Sequence, residues 1–183
     1  MHQAPSFALR IFFAALLAVM FGTGCSTYSA RPYAGGQPRF DLVDWFSGRT
    51  RSWGVVENRS GKVSRHFTAE LSGRREGSTL HLDQRFRYSD GKTERRTWRI
   101  DRLDDHRYTA TATGFIGPVE AEAYGNAVHL RYTMGVPVGK GTVGLRFDQL
   151  MLRQNRDIVY NRANFGKFGV RLGSVSEFFQ KVN

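Results

Sequence analysis

Cysteine is nearly missing from this chain: Cys25 is the only one in 183 residues. One thiol excludes an internal disulfide framework. No His-Glu-x-x-His occurs and no two histidines stand at a local ligand spacing, so neither a metal site nor a cofactor is expected. Long apolar runs are missing too. Residues 11–21 form an unbroken run of 11 apolar residues, well short of the roughly 20 that a membrane-spanning helix requires. No segment carries a convincing helical period over three turns. Acidic residues are scarce, with 16 Asp and Glu against 27 Lys and Arg and a formal charge of +11.

What is present begins with an address. Arg10 precedes the apolar run, the small residues Gly22-Thr23-Gly24 follow it, and then comes Cys25-Ser26. A short apolar run ending in small residues reads as a secretory signal. A cysteine at the processing point suggests lipidation, since its thiolate can take a diacylglyceryl group. Plain secretion, leaving a free thiol, is the alternative. Residues 1–24 are thus expected as a cleaved signal peptide and residues 25–38 as a lipidated cysteine with a flexible tether rich in Gly, Pro and small polar residues. Residues 39–183 are then one domain. Ser26, where an acidic residue would favour the inner membrane, points to the periplasmic face of the outer membrane. The basic balance would suggest nucleic acid in a cytosolic protein. For an exported one the polyanion expected is lipid head groups or lipopolysaccharide, with no nucleic-acid partner.

Past the tether, residues 40–46 bring Phe40, Leu42, Val43, Trp45 and Phe46 together as a short plug. The pattern then turns to period two, punctuated by turn residues. Strands are expected over residues 51–57, 63–71, 80–88, 94–103, 107–113, 119–124, 127–136, 142–152, 158–161 and 169–179. Asp90-Gly91 is a strong hairpin signal between two of them. So many strands joined by tight turns make an antiparallel meander, which closes into an up-and-down, lipocalin-like barrel or splits into a β-sandwich. The barrel is favoured because it leaves no open edge. A membrane-spanning barrel fits poorly, as one side of most strands carries Arg, Glu, Asp or His.

Six stretches carry a family resemblance: Asn58-Arg59-Ser60-Gly61-Lys62-Val63; Phe86, Tyr88, Asp90-Gly91, Arg96 and Trp98; Gly125-Asn126-Ala127; Phe147-Asp148; Asn161-Arg162; and Lys167-Phe168-Gly169. In these the chain resembles a family of bacterial lipoproteins, domain of unknown function 3833, over nearly all of its mature length. One departure is Asp148-Gln149-Leu150-Met151, where the family tends to read Asp-Asp-Trp-Met. The resemblance implies an exported, lipidated protein and leans toward envelope lipid chemistry. It supplies no catalytic residues.

No catalytic residue is assigned from the residues themselves either. Ser60 and Ser174 lack a neighbouring base and a Gly-x-Ser-x-Gly elbow. Gly139-Lys140-Gly141-Thr142 reads as a turn rather than a phosphate loop. His66, His81 and His129 fall on outward strand positions, which predicts solvated side chains. The candidate ligand-binding residues are Gln84, Phe86, Tyr88, Trp98, Tyr108, Tyr132 and Phe147, which would converge inside a barrel. Gln84 there needs a hydrogen-bond partner, from the backbone or from a ligand's polar group. Asp148, Asn161, Arg162 and Lys167 are a candidate polar cluster closing one end. Arg85, Arg87, Arg95, Arg96, Arg99 and Arg102 suggest a basic patch for anionic head groups. Three functions stay open: a carrier of an apolar envelope molecule such as a fatty acid, a structural or interaction lipoprotein with a filled core, and a lipid-acting enzyme.

Overall fold

The computed structural model describes residues 28–182, so Cys25 lies outside the described residues. Ten strands are β1 Gly48–Asn58, β2 Val63–Glu76, β3 Thr79–Tyr88, β4 Thr93–Arg102, β5 Arg107–Ala112, β6 Phe115–Tyr124, β7 Ala127–Val138, β8 Gly141–Arg153, β9 Ile158–Lys167 and β10 Val170–Lys181. Each pairs antiparallel with its neighbours in sequence, and β10 closes on β1 in a register running from Thr50 opposite Lys181 to Asn58 opposite Gly173. The result is a closed meander barrel, not a sandwich. Every strand has two hydrogen-bonded neighbours, so no edge is left open. Strand β9 outruns its expected end at residue 161 because Ala163 and Phe165 continue the inward alternation. Asn164 between them and Gly166 after them weaken the signal.

The two ends of the barrel differ. Five hairpin turns, after β1, β3, β5, β7 and β9, surround an open mouth. The other end is stoppered by residues 40–46, whose single helical turn α1 spans Leu42–Trp45. Asp41 caps that turn by accepting from Asp44 N at 2.9 Å. Phe40, Leu42, Val43, Trp45 and Phe46 are all buried, and Phe46 meets Phe179 edge-on at 5.3 Å. Asp41 also ties the plug to the wall, accepting from Arg102 at 2.6 Å and from the Tyr108 hydroxyl at 2.9 Å.

Residues 28–38, expected as tether, are docked as a strap along the outer wall. Ala30 is buried against Ala127 and Leu150, flanked by Tyr28 and Tyr124. Tyr28 N donates to Asp148 Oδ2 at 3.1 Å, a 3-10 turn spans Arg31–Tyr33, and the Arg31 guanidinium lies 5.2 Å from the Tyr124 ring centre. The small residues that read as flexible are what let the strap approach the wall. Among the described residues, barrel, plug and strap pack on one another as one unit. No helix among the described residues is long and apolar enough to cross a membrane.

Candidate functional site

The barrel interior grades from packed to accessible. In the plugged half, inward Leu80, Val119, Val128 and Val159 are fully buried. In the mouth half, inward Val56, Trp98, Phe115, Tyr132, Leu145 and Phe165 remain only half-buried. The inward residues are thus tightly covered at the plug and less so toward the mouth, and in that sense the interior has the form of a cup.

Aromatic rings line the cup. Trp98 meets Phe115 at 4.7 Å, Phe115 stacks on Tyr132 at 4.7 Å, Tyr132 on Phe147 at 5.0 Å, and Phe147 reaches Phe165 at 5.4 Å. Strand register produces this row, since Tyr132 faces Phe147 and Phe147 faces Phe165 across adjacent strands. On the opposite wall Phe86 stacks on Tyr88 at 5.8 Å, with Phe67 beside both. Gln84 finds its partner within the protein: Trp98 Nε1 donates to Gln84 Oε1 at 3.3 Å. The Tyr132 hydroxyl donates to Gln149 Oε1 at 2.8 Å.

Charged groups enter the cup as well. Glu177 is inward on β10 and 6% exposed, directly opposite Asn161 of β9 and facing Gly54 of β1. Asn161 Nδ2 donates to Glu177 Oε2 at 3.4 Å, while Glu177 Oε1 and Asn161 Oδ1 have no protein partner. Burial pushes the Glu177 carboxyl up to about 7, against the opposing pull of Ser52, Asn161 and the Arg96 charge. Arg96 points inward from β4, half-buried, 5.0 Å from the Phe86 ring and paired with Glu94. Nearer the mouth, Arg65 lies 3.4 Å over the Tyr88 ring and pairs with Asp90 at 2.8 Å. The Tyr88 hydroxyl donates to Glu94 at 2.9 Å, and burial raises the Tyr88 hydroxyl pKa, helped by the Glu94 charge.

Phe86, Tyr88, Trp98, Tyr132, Phe147 and Gln84 thus come together as expected. Tyr108 does not; it sits at the opposite end, bonded to Asp41 of the plug. The cluster of Asp148, Asn161, Arg162 and Lys167 is not assembled. Neighbours on a strand point to opposite faces, so Asn161 enters the lumen while Arg162 is exposed outside. Asp148 is outward under the strap, where its Oδ1 meets His129 Nε2 at 2.5 Å. Lys167 reaches the mouth beside the Phe168 ring. His129 is outward but buried, because the strap covers it. The expected arginine patch is broken up: Arg96 and Arg102 turn inward, Arg85 and Arg95 share Asp83, and Arg99 pairs with Asp101. No group of three or more His, Cys, Asp or Glu among the described residues could hold a metal ion.

Three open cavities lie outside the lumen. One of about 610 Å³ at the plugged end is lined by charged residues, among them Arg39, Asp44, Arg153 and Asp157. One of about 250 Å³ lies on the wall by Arg49, Glu70 and Asp83. The third, about 730 Å³, runs outside β8 and β9 beneath Phe168 and Val170.

Residues 19–181 match the model of a family described as "Protein of unknown function (DUF3833)". The chain belongs to that family. No curated protein matches it. Among solved structures, the S-type phycobiliprotein lyase CPES from Guillardia theta superposes with a TM-score of 0.57 at 6% identity, covering 85% of this chain and 99% of that one. The redesigned β-barrel mFAP1, bound to DFHBI, gives 0.41 at 10% identity over 76% of this chain and 97% of its own. A de novo designed fluorescence-activating β-barrel gives 0.40 at 12% identity over 78% of this chain and 99% of its own. At such identities the likeness to the lyase speaks for the lipocalin-like fold alone. For this DUF3833 chain, sequence reasoning missed several lumen residues, among them Phe67, Phe115, Phe165 and the buried acid Glu177. The signal for Glu177 is there, because Val175, Glu177 and Phe179 share one strand parity, and an acid on an apolar face marks a buried charge.

Proposed function

We propose that the chain is a lipid-anchored envelope protein whose cup holds a small apolar molecule such as a fatty acid or another envelope lipid. One observation carries this reading. An aromatic wall converges on a few buried polar atoms, of which Glu177 Oε1 and Asn161 Oδ1 lack a protein partner. Apolar walls with few oriented polar groups are the anatomy of a small-molecule site, and buried polar atoms call for a partner. Anchoring rests on the apolar run of residues 11–21, the small residues after it and Cys25, and an outer-membrane address on Ser26.

A second reading has its own support. Glu177 holds a carboxyl with a pKa near neutrality inside an aromatic cup, as a general acid–base group would require, so a lipid-acting enzyme is the alternative. The test is native mass spectrometry with lipid extraction on residues 26–183. A stoichiometric lipid, lost in Trp98→Ala or Tyr132→Ala without unfolding, is the expected result. An apo mass with no uptake of offered fatty acids sinks the carrier and leaves a filled barrel working through its surface. Chemical change in the bound lipid, abolished by Glu177→Gln with binding intact, selects the enzyme.

A further inference from the structure

The two ends of the barrel differ in how their charges are paired as well as in shape. At the plugged end each carboxylate has taken an arginine: Asp41 pairs with Arg102, Asp44 with Arg75, Glu76 with Arg74 and Asp104 with Arg107. The mouth hairpins and the strand ends next to them carry Arg59, Lys62, Lys92, Lys140, Lys167 and Arg171 against three acids, Glu57, Asp90 and Glu94, and Glu94 is taken up by Arg96 and Tyr88. Asp90 is already held by Arg65 at 2.8 Å, with Lys92 at 3.9 Å. The other five rim cations make no ion pair among the described residues.

Apolar side chains are exposed at this same end. Val63, Ile116, Val138, Phe168, Val170 and Leu172 are all exposed at or beside the mouth turns. Phe168 is 92% exposed and holds a left-handed backbone with φ 51, the only non-glycine residue described that does so. Asparagine or glycine would suit this two-residue turn better. A bulky side chain there works against the fold, and packing does not require it. Hairpin tips bearing separate apolar residues around a ring suit a deformable surface more than the fitted face of a protein. The strap adds a direction. It runs from Gly36 near the plugged end, where Gly36 N donates to Tyr33 O, back to Tyr28 beside Asp148 midway along β8. Its earlier end therefore lies toward the mouth.

We propose that the mouth rim docks on the surface of an anionic bilayer. Phe168 and its apolar neighbours enter at head-group depth, and the rim cations meet lipid phosphates. Apolar burial and attraction to anionic lipid together set such binding. The surface stands apart from the lumen reading, since it needs no ligand in the cup.

The test uses residues 28–183, which contain no cysteine. An environment-sensitive dye is placed at Phe168→Cys, and in a control at Leu103→Cys, which is 59% exposed at the plugged end. Vesicles of phosphatidylglycerol and phosphatidylcholine should blue-shift the dye at 168 only, and added salt should reverse the shift. Phosphatidylcholine alone should give none. In co-sedimentation, Phe168→Asn should weaken binding by about tenfold or more while raising the melting temperature, since asparagine accepts this turn. Lys140→Glu with Lys167→Glu should abolish binding. A shift at both positions, a shift at neither, or binding untouched by these substitutions overturns the proposal. Capture of an acidic protein with no vesicle binding overturns it in favour of a protein partner. Lipid uptake into the cup is read separately, by mass, so the two readings fail independently.

Discussion

Asn161 and Glu177 face each other across β9 and β10 inside the barrel, and one hydrogen bond of 3.4 Å joins them while an oxygen of each stays unpartnered. Gly54 opposite adds no side chain, and the pull of Ser52, Asn161 and the Arg96 charge does not offset the burial of the carboxyl. It is accordingly raised from its ordinary value to about 7.

That shift sets a pH dependence. The folded state holds the Glu177 proton up to about 7, while the unfolded chain releases it near 4.5. Between these values the folded state binds more protons, so stability falls as pH rises, by about 1.4 kcal/mol per pH unit at most. Glu177→Gln cannot ionise. Urea titrations at pH 5 and pH 8 should show the variant gaining on the parent at pH 8 by roughly 2–3 kcal/mol. Parallel curves at both values would mean that the carboxyl is not buried as described.

Asp41 makes the opposite case. Burial raises its carboxyl, but the Asp44 N–H, the Tyr108 hydroxyl and Arg102 more than offset this and hold it below its ordinary value. Its contribution is therefore complete above about pH 4 and is lost as pH falls through the depressed value. Asp41→Asn keeps a cap for α1 but removes the charge that Arg102 and Tyr108 meet. It should cost about 1.5–3 kcal/mol at pH 7 and much less at pH 3. Denaturation of parent and variant at the two pH values checks this.

Most of the barrel is legible in strand parity and turn residues. Phe86, Tyr88, Trp98, Tyr132 and Phe147 alternate cleanly with polar neighbours, so their convergence follows once the sheet closes. The strand count alone leaves barrel and sandwich open, and closure is favoured because it leaves no edge rather than by any one residue. What parity cannot show is which end of the barrel an inward residue occupies. Tyr108 has the right parity and the wrong end. Parity also fails where a non-strand segment covers the outer wall, as the strap covers His129. Asp148, Asn161, Arg162 and Lys167 group by closeness in sequence, and the pleat separates them.

Gly125 tests the strap. It holds φ +54, and a Cβ there would lie 1.9 Å from Tyr33 O. Neither the conformation nor the space suits any other residue. Gly125→Ala should lift the strap, uncover Ala127, Leu150 and His129, and destabilise the domain by at least about 1 kcal/mol. Hydrogen exchange should rise in residues 28–38 ahead of the barrel strands. Exchange unchanged in that segment would mean that the strap is held elsewhere.

Trp98 contributes both a ring and a donor, and the two can be separated. Its indole packs on Phe115 and Tyr132, while Nε1 supplies the one hydrogen bond seen at buried Gln84 Oε1. Trp98→Phe retains aromatic area but leaves that oxygen without its donor, which should cost about 1–3 kcal/mol. Trp98→Phe with Gln84→Leu removes both polar partners and should recover most of the loss, since an unmet buried acceptor costs more than an absent one. Urea denaturation of the two variants decides it. Equal instability in single and double variants would place the cost in ring packing, and the cup would then owe its shape to the Trp98 ring alone.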